Sequence, residues 1–218
     1  RRVNFTPILT LRTLILGLLL AGLGGLPSAL AQQHALSNLW SVAAGAPSHP
    51  FLLNSGDATR GLDYNPTTGH LLVVSRAGSP AIHILDATNG TVLGTLPFGE
   101  GVISGGNFAV SMIGITSDGV IYVGNLTTDA TGSPGPFKLY RWADETAQPV
   151  KVYEGDPSAG NTVGTNPRRF GDSIAVRGTG ANTQILLGTY NKIVGLLTTA
   201  DGTNFTATAI VTDVADQD

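Results

Sequence analysis

Residues 60–97 read Arg-Gly-Leu-Asp-Tyr-Asn, Pro-Thr-Thr-Gly, His-Leu-Leu-Val-Val-Ser, a short break, Ala-Ile-His-Ile-Leu-Asp, Ala-Thr-Asn-Gly and Thr-Val-Leu-Gly-Thr-Leu-Pro. Four short β-rich runs are separated by turn clusters. Pro66 suits the second position of a turn and Gly69 its end. Asn89-Gly90 is among the strongest short hairpin signals, because both residues accept positive φ at little cost. His70–Ser75 is apolar at Leu71, Leu72, Val73 and Val74, the pattern of a central strand covered on both faces. Ala81–Asp86 alternates Ile82 and Ile84 against His83. This unit predicts a four-stranded antiparallel sheet.

Two later stretches repeat the plan. The second has strands at Met112–Ile115 and Val120–Val123, with a tight Ser117-Asp118-Gly119 turn between them, then Phe137–Trp142 and Val150–Tyr153. The third has Ser173–Val176, Gln184–Thr189, Lys192–Thr198 and Phe205–Val211, with turns at Gly178–Thr183 and Asp201-Gly202. The corresponding first turns lie about 50 and then about 60 residues apart, the period of propeller blades with inserted loops. The rival architecture is a β-sandwich, which also spaces strands at about 8–12 residues. The expected fold is all-β: a partial β-propeller of about three four-stranded antiparallel blades in an open arc, preceded by a signal-peptide helix.

Three segments follow from this reading. Residues 1–31 carry Arg1, Arg2 and Arg12, an apolar core from Leu14 to Leu23, and the small-x-small site Ala29-Leu30-Ala31. That is the plan of a secretory signal peptide. The apolar core is ten residues long, short of the roughly 20 a spanning helix needs. The mature chain is therefore expected to hold no membrane span. Residues 32–59 form a linker, with an outer strand expected at Leu39–Ala43, placed to complete a blade, and a short one at Phe51–Leu53. Residues 60–218 are the repeat region. Its three units leave open faces that a closed ring would cover, so the remaining blades are expected from a longer chain.

Composition narrows the partners. The formal charge is −3, and loss of the three N-terminal arginines takes it to −6. An acidic chain without a Lys/Arg run is a poor match for nucleic acid. The chain has no cysteine, which excludes disulfides, thiolate metal sites and cysteine nucleophiles.

Ala81–Pro97 resembles the second half of a blade in bacterial surface-layer and lactonase-like propellers, where a strand is followed by Asp-x-x-x-Gly and an outer strand. Ile121-Tyr122-Val123-Gly124-Asn125 resembles their Tyr-Val-x-Asn strand. More widely, Arg60 to Phe205 is similar to an uncharacterised family of exported bacterial β-propeller-like repeat proteins. The resemblance implies a blade architecture and export, and carries no activity with it.

Motifs of catalysis are missing. No phosphate loop, Gly-x-Ser-x-Gly elbow or His-Glu-x-x-His helix occurs, and no cofactor is called for. His34, His49, His70 and His83 lack ligand spacing and read as packed or half-exposed side chains. Asp213, Asp216 and Asp218 lack the glycine and glutamate of a calcium loop. The propeller plan nominates instead the face where loops enter the inner strands. There it places Arg60, Arg76, Asn125, Arg168, Arg169, Asp172, Tyr190, Asn191 and Lys192. Basic groups gathered on one face of an acidic protein suit an anionic ligand such as an acidic glycan. Alternatively, each arginine fastens a loop to backbone carbonyls.

Three functions stand open on this reading. One is an exported, non-catalytic protein binding an extracellular glycan, peptide or surface partner. Another is a lactonase-like hydrolase or lyase. The last is a structural cell-surface repeat. Asp63 and Asp172 fall on inner strands without a histidine partner, which favours binding.

Overall fold

In the computed structural model, residues 37–161, 168–189 and 192–212 are described. The chain divides into two units, Arg1–Ser37 and Asn38–Asp218, and the second carries the strands. The expected signal helix and the acidic tail at Asp213–Asp218 lie outside the described residues.

Twelve strands occur among the described residues: β1 Thr59–Asn65, β2 His70–Ser75, β3 Ala81–Asp86, β4 Val92–Thr95, β5 Phe108–Ile115, β6 Ile121–Leu126, β7 Phe137–Trp142, β8 Val150–Gly155, β9 Ala175–Arg177, β10 Gln184–Gly188, β11 Ile193–Thr199 and β12 Phe205–Val211. The one helical element among the described residues is a 3-10 turn at Gly180–Asn182. The strands form three four-stranded sheets in chain order, β1–β4, β5–β8 and β9–β12, none closed on itself. Every pairing within them is antiparallel.

The sheets stack, and alternation decides the stacking. Opposite faces of one strand enter different cores because side chains alternate with period two. From the first sheet, Leu72, Val74, Ile82 and Ile84 point to the second and meet Val110, Ile113, Ile121, Val123, Tyr140 and Trp142. The other face of the second sheet carries Tyr122, Phe137, Leu139 and Val152. These meet Ile185, Leu187, Leu197 and Phe205 of the third. The middle sheet is thus buried on both sides, and every residue of β6 is buried. Three stacked sheets exclude the two-layer sandwich.

The first strands of successive sheets lie close together. At Gly61 an added Cβ would come within 2.7 Å of the Ile113 nitrogen, and at Gly114 it would strike the Val176 side chain. Close approach favours glycine at both, of β5 backbone at Gly61 and of a side chain at Gly114, since φ at neither is positive. The Asp63 carboxylate accepts from the Ile115 N–H at 2.7 Å and so ties β1 to β5. This inner-strand acid is a fastener.

The linker differs from expectation. Neither Leu39–Ala43 nor Phe51–Leu53 is a strand. Residues 40–53 instead cap the free face of the first sheet, where Phe51, Leu52 and Trp40 pack with Leu71, Val73 and Leu85. Side chains hold the cap rather than a ladder. Phe51 stacks on His83 at 3.6 Å, and Trp40 Nε1 donates to the Ala87 carbonyl at 2.9 Å. His49 Nε2 lies 2.8 Å from the Gly90 carbonyl oxygen, and burial lowers the pKa of His83. Loops of this kind satisfy sheet faces without β hydrogen bonds, so they leave no period-two signature.

By contrast, no described residues cap the corresponding face of the third sheet. Register places Leu186, Leu196 and Thr208 in one row and Val194 with Ile210 in the next. Leu186 and Ile210 are exposed there. A turn device recurs across the sheets. Asp86, Asp129, Asp144 and Asp156 each accept from the backbone N–H and hydroxyl of the Thr or Ser two residues on. An aspartate in this position replaces a backbone turn bond.

Candidate functional site

Arg76 organises the site. It follows β2 directly, and its backbone N–H donates to the Ala58 carbonyl at 2.7 Å. Its guanidinium then reaches β5, with Nε donating to the Val110 carbonyl at 3.1 Å and Nη2 to Ser111 Oγ at 2.7 Å. Ser111 Oγ donates in turn to the Gly171 carbonyl at 2.6 Å. This relay joins the first sheet, the second sheet and the loop before β9. Phe170 continues the junction by exchanging two 3.0 Å backbone hydrogen bonds with Thr127. Gly171 turns the chain at φ +102°, and a Cβ there would collide with the Asn125 carbonyl. The turn sets Arg169 and Asp172 beside Arg60 and Arg76.

The resulting pocket has a volume of about 210 Å³ and is lined by Asp57, Arg60, Arg76, Asn107, Phe108, Leu126, Thr128 and Arg169. Asp172 is the electrostatic pivot. Arg169 grips both of its oxygens, through Nη2 at 2.9 Å and through Nε, while Arg60 Nη2 lies 3.3 Å from Oδ1. Hydrogen bonds from Arg169 hold the Asp172 carboxyl below its ordinary value, opposed by burial and helped by the charges of Arg169, Arg60 and Arg76. Burial, with the charge of Arg60 behind it, lowers the Arg76 pKa to about 10. It remains a cation at neutral pH and lies 3.8 Å above the Phe108 ring.

Three guanidinium groups face two carboxylates, Asp57 and Asp172, leaving the cluster with one net positive charge. Among the described residues, Arg60 Nε is buried without a hydrogen-bond partner. A buried donor left unmade costs free energy until something accepts from it. Rigid guanidinium forks around a small hollow suit a planar anion such as a carboxylate.

The sequence-predicted residues separate under this geometry. Arg60, Arg76 and Arg169 line one pocket, with Asp172 behind them. Asn125 does not join them. It is buried, donating through Nδ2 to the Pro136 carbonyl at 3.3 Å and accepting the Lys138 N–H at 2.9 Å. Its role is to brace the loop between β6 and β7. Arg168 faces Asp156 and the Asn161 carbonyl and fastens its own loop. Lys192 sits at the start of β11, where its carbonyl accepts from Thr212, and it does not line the pocket. Tyr190 and Asn191 lie outside the described residues.

Sequence reasoning missed Asp57, Asn107, Phe108 and Thr128. Phe108 was hidden by a register shift in β5 between Phe108 and Met112, which breaks the alternation before the strand's regular part. The triplet Phe108-Ala109-Val110 is apolar, and it was the available signal. Asp57 lies in the irregular 54–58 segment, where no pattern marks it.

Among the described residues, the remaining polar groups give no second centre. His70 Nδ1 meets Glu145 at 2.7 Å, with Asn65 and Thr68 on the other oxygen of that carboxylate. This cluster joins the first and second sheets. Among the described residues, no group of three or more His, Cys, Asp or Glu side chains is placed to hold a metal ion. No helix among them is long and apolar enough to cross a membrane, which leaves strand-built spans unaddressed.

No family model and no curated protein matches the chain. Among solved structures, it is similar to a DUF4623 family protein from Bacteroides eggerthii, with a TM-score of 0.57 and 21% identity. The match covers 72% of this chain and 36% of that protein, so this chain spans about a third of its neighbour's length. At that identity the likeness shows the fold.

Proposed function

We propose that this chain is part of an exported, non-catalytic, propeller-like protein that binds an anionic extracellular partner: a glycan, a peptide or a surface component. The observation that carries this reading is the convergence of Arg60, Arg76 and Arg169 on one small pocket where the sheets meet. Each fork is braced by its own partners, so little ordering remains to be done on binding. Among the described residues, the lining holds no serine, cysteine or histidine, and that favours binding over a hydrolase or lyase. Export is supported by the basic start, the apolar Leu14–Leu23 core and the Ala29-Leu30-Ala31 site. The open apolar face of the third sheet fits a further sheet of a longer chain, in the way the second sheet covers the first. The longer structural neighbour accords with that.

The test is an array of acidic and neutral glycans probed with the full chain and with Arg169→Gln. Acidic glycans should be retained by the native chain and lost by the variant, whose far-ultraviolet circular dichroism should stay native. Retention of neutral glycans alone, or equal retention by both proteins, rejects the pocket as the site.

A further inference from the structure

We infer that the pocket takes the carboxylate of a single acidic sugar residue, and that Asp57 stands in for that carboxylate on Arg60 until the ligand displaces it. The inference rests on the anion-binding reading of the same pocket and adds the ligand class and a built-in competitor.

Asp57 differs from Asp172 in every respect that bears on displacement. Asp172 is gripped by two arginines. Among the described residues the Asp57 carboxylate makes a single polar contact, 3.8 Å to Arg60 Nη1, and its side chain is 82% exposed. Exposed pairs of this kind hold by a factor of about five at most. The residue also sits at φ +51°, a left-handed conformation uncommon outside glycine. A strained residue held at a pocket wall by a weak contact points to a role in that pocket. Among the described residues, the buried Arg60 Nε has no acceptor.

The walls define the ligand. The volume of about 210 Å³ falls below the roughly 300–1,000 Å³ of sites for drug-sized molecules, which leaves room for one ring. Phe108 and Leu126 supply apolar surface, and the Phe108 residue is 41% exposed. Asn107 spends its Oδ1 on the Thr128 N–H at 2.8 Å, which leaves its amide N–H groups for hydroxyls. Forks for a carboxylate, an apolar wall and amide donors together match a uronic acid ring.

Methyl glucuronide, methyl galacturonide, methyl glucoside and N-acetylglycine, each titrated into the full chain by NMR at low salt, test this. The native chain should bind the uronides and neither control. Asp57→Asn should bind them about two- to fivefold tighter, and Asp57→Gly, which also removes the φ strain, should match it. Arg169→Gln should bind at least about tenfold more weakly, the loss of one charge-assisted pair. Uronide binding unchanged by both Asp57 variants overturns the displacement while leaving the pocket as an anion site. Equal or tighter binding of N-acetylglycine overturns the sugar assignment in favour of a peptide carboxylate. No shift with any of the acids overturns the anion site and the inference together.

Discussion

Gly90 tests the cap on the first sheet. It lies at φ +77°, and a Cβ would come within 2.7–3.0 Å of Trp40 Cε3, Cζ3 and Cδ2. Gly69 has nearly the same backbone, φ +76°, with nothing within 4 Å of its Cβ position. Alanine at either site incurs the left-handed penalty of about 1–2 kcal/mol. Only Gly90→Ala also drives Trp40 from its seat, and the Trp40 Nε1 bond to Ala87 goes with it. That bond contributes about 0.5–1.5 kcal/mol, and forced repacking costs about 1–3 kcal/mol. Gly90→Ala should therefore exceed Gly69→Ala by about 2 kcal/mol. Urea unfolding followed by far-ultraviolet circular dichroism measures both. In a Trp40→Ala background the two glycine substitutions should cost the same. Equal costs in the native background, or an excess that survives removal of Trp40, would refute the cap assignment.

Other outcomes follow from the same geometry. Gly61→Ala should destabilise by about 1–3 kcal/mol, because its Cβ meets β5 backbone that cannot retreat. Gly114→Ala meets only the Val176 side chain, so Val176→Ala should restore most of its loss in a double-mutant cycle. Asp86 has its pKa lowered chiefly by the Thr88 hydroxyl, so Thr88→Val should raise it toward 3.8 in an NMR titration. A native Asp172 pKa below its unfolded value gives stability that is present above about pH 4 and lost as pH falls through the depressed value. Asp172→Asn should accordingly flatten the fall in urea midpoint below about pH 4. Mass spectrometry of secreted protein should find Gln32 first, and a secreted chain that retains Leu14–Leu23 would exclude cleavage after Ala31.

The strands were legible because their information is local. His70–Ser75, Ala81–Asp86, Phe137–Trp142 and Phe205–Val211 have the boundaries that alternation and turn residues mark. Gly69, Gly90, Gly119 and Gly202 hold the positive φ that their turns demand. A four-strand period repeated three times was enough to specify three open antiparallel sheets. The cap was not legible, since Trp40, His49 and Phe51 hold a face through stacking and single hydrogen bonds without periodicity. Nor did the sequence distinguish the arginines. Arg60, Arg76 and Arg169 share a pocket while Arg168, one residue away, turns to Asp156. That division depends on the Thr127–Phe170 bridge and the turn at Gly171, contacts between segments about 43 residues apart in the chain. Side-chain destination is set by which sheet lies next to which, and only the tertiary structure decides that.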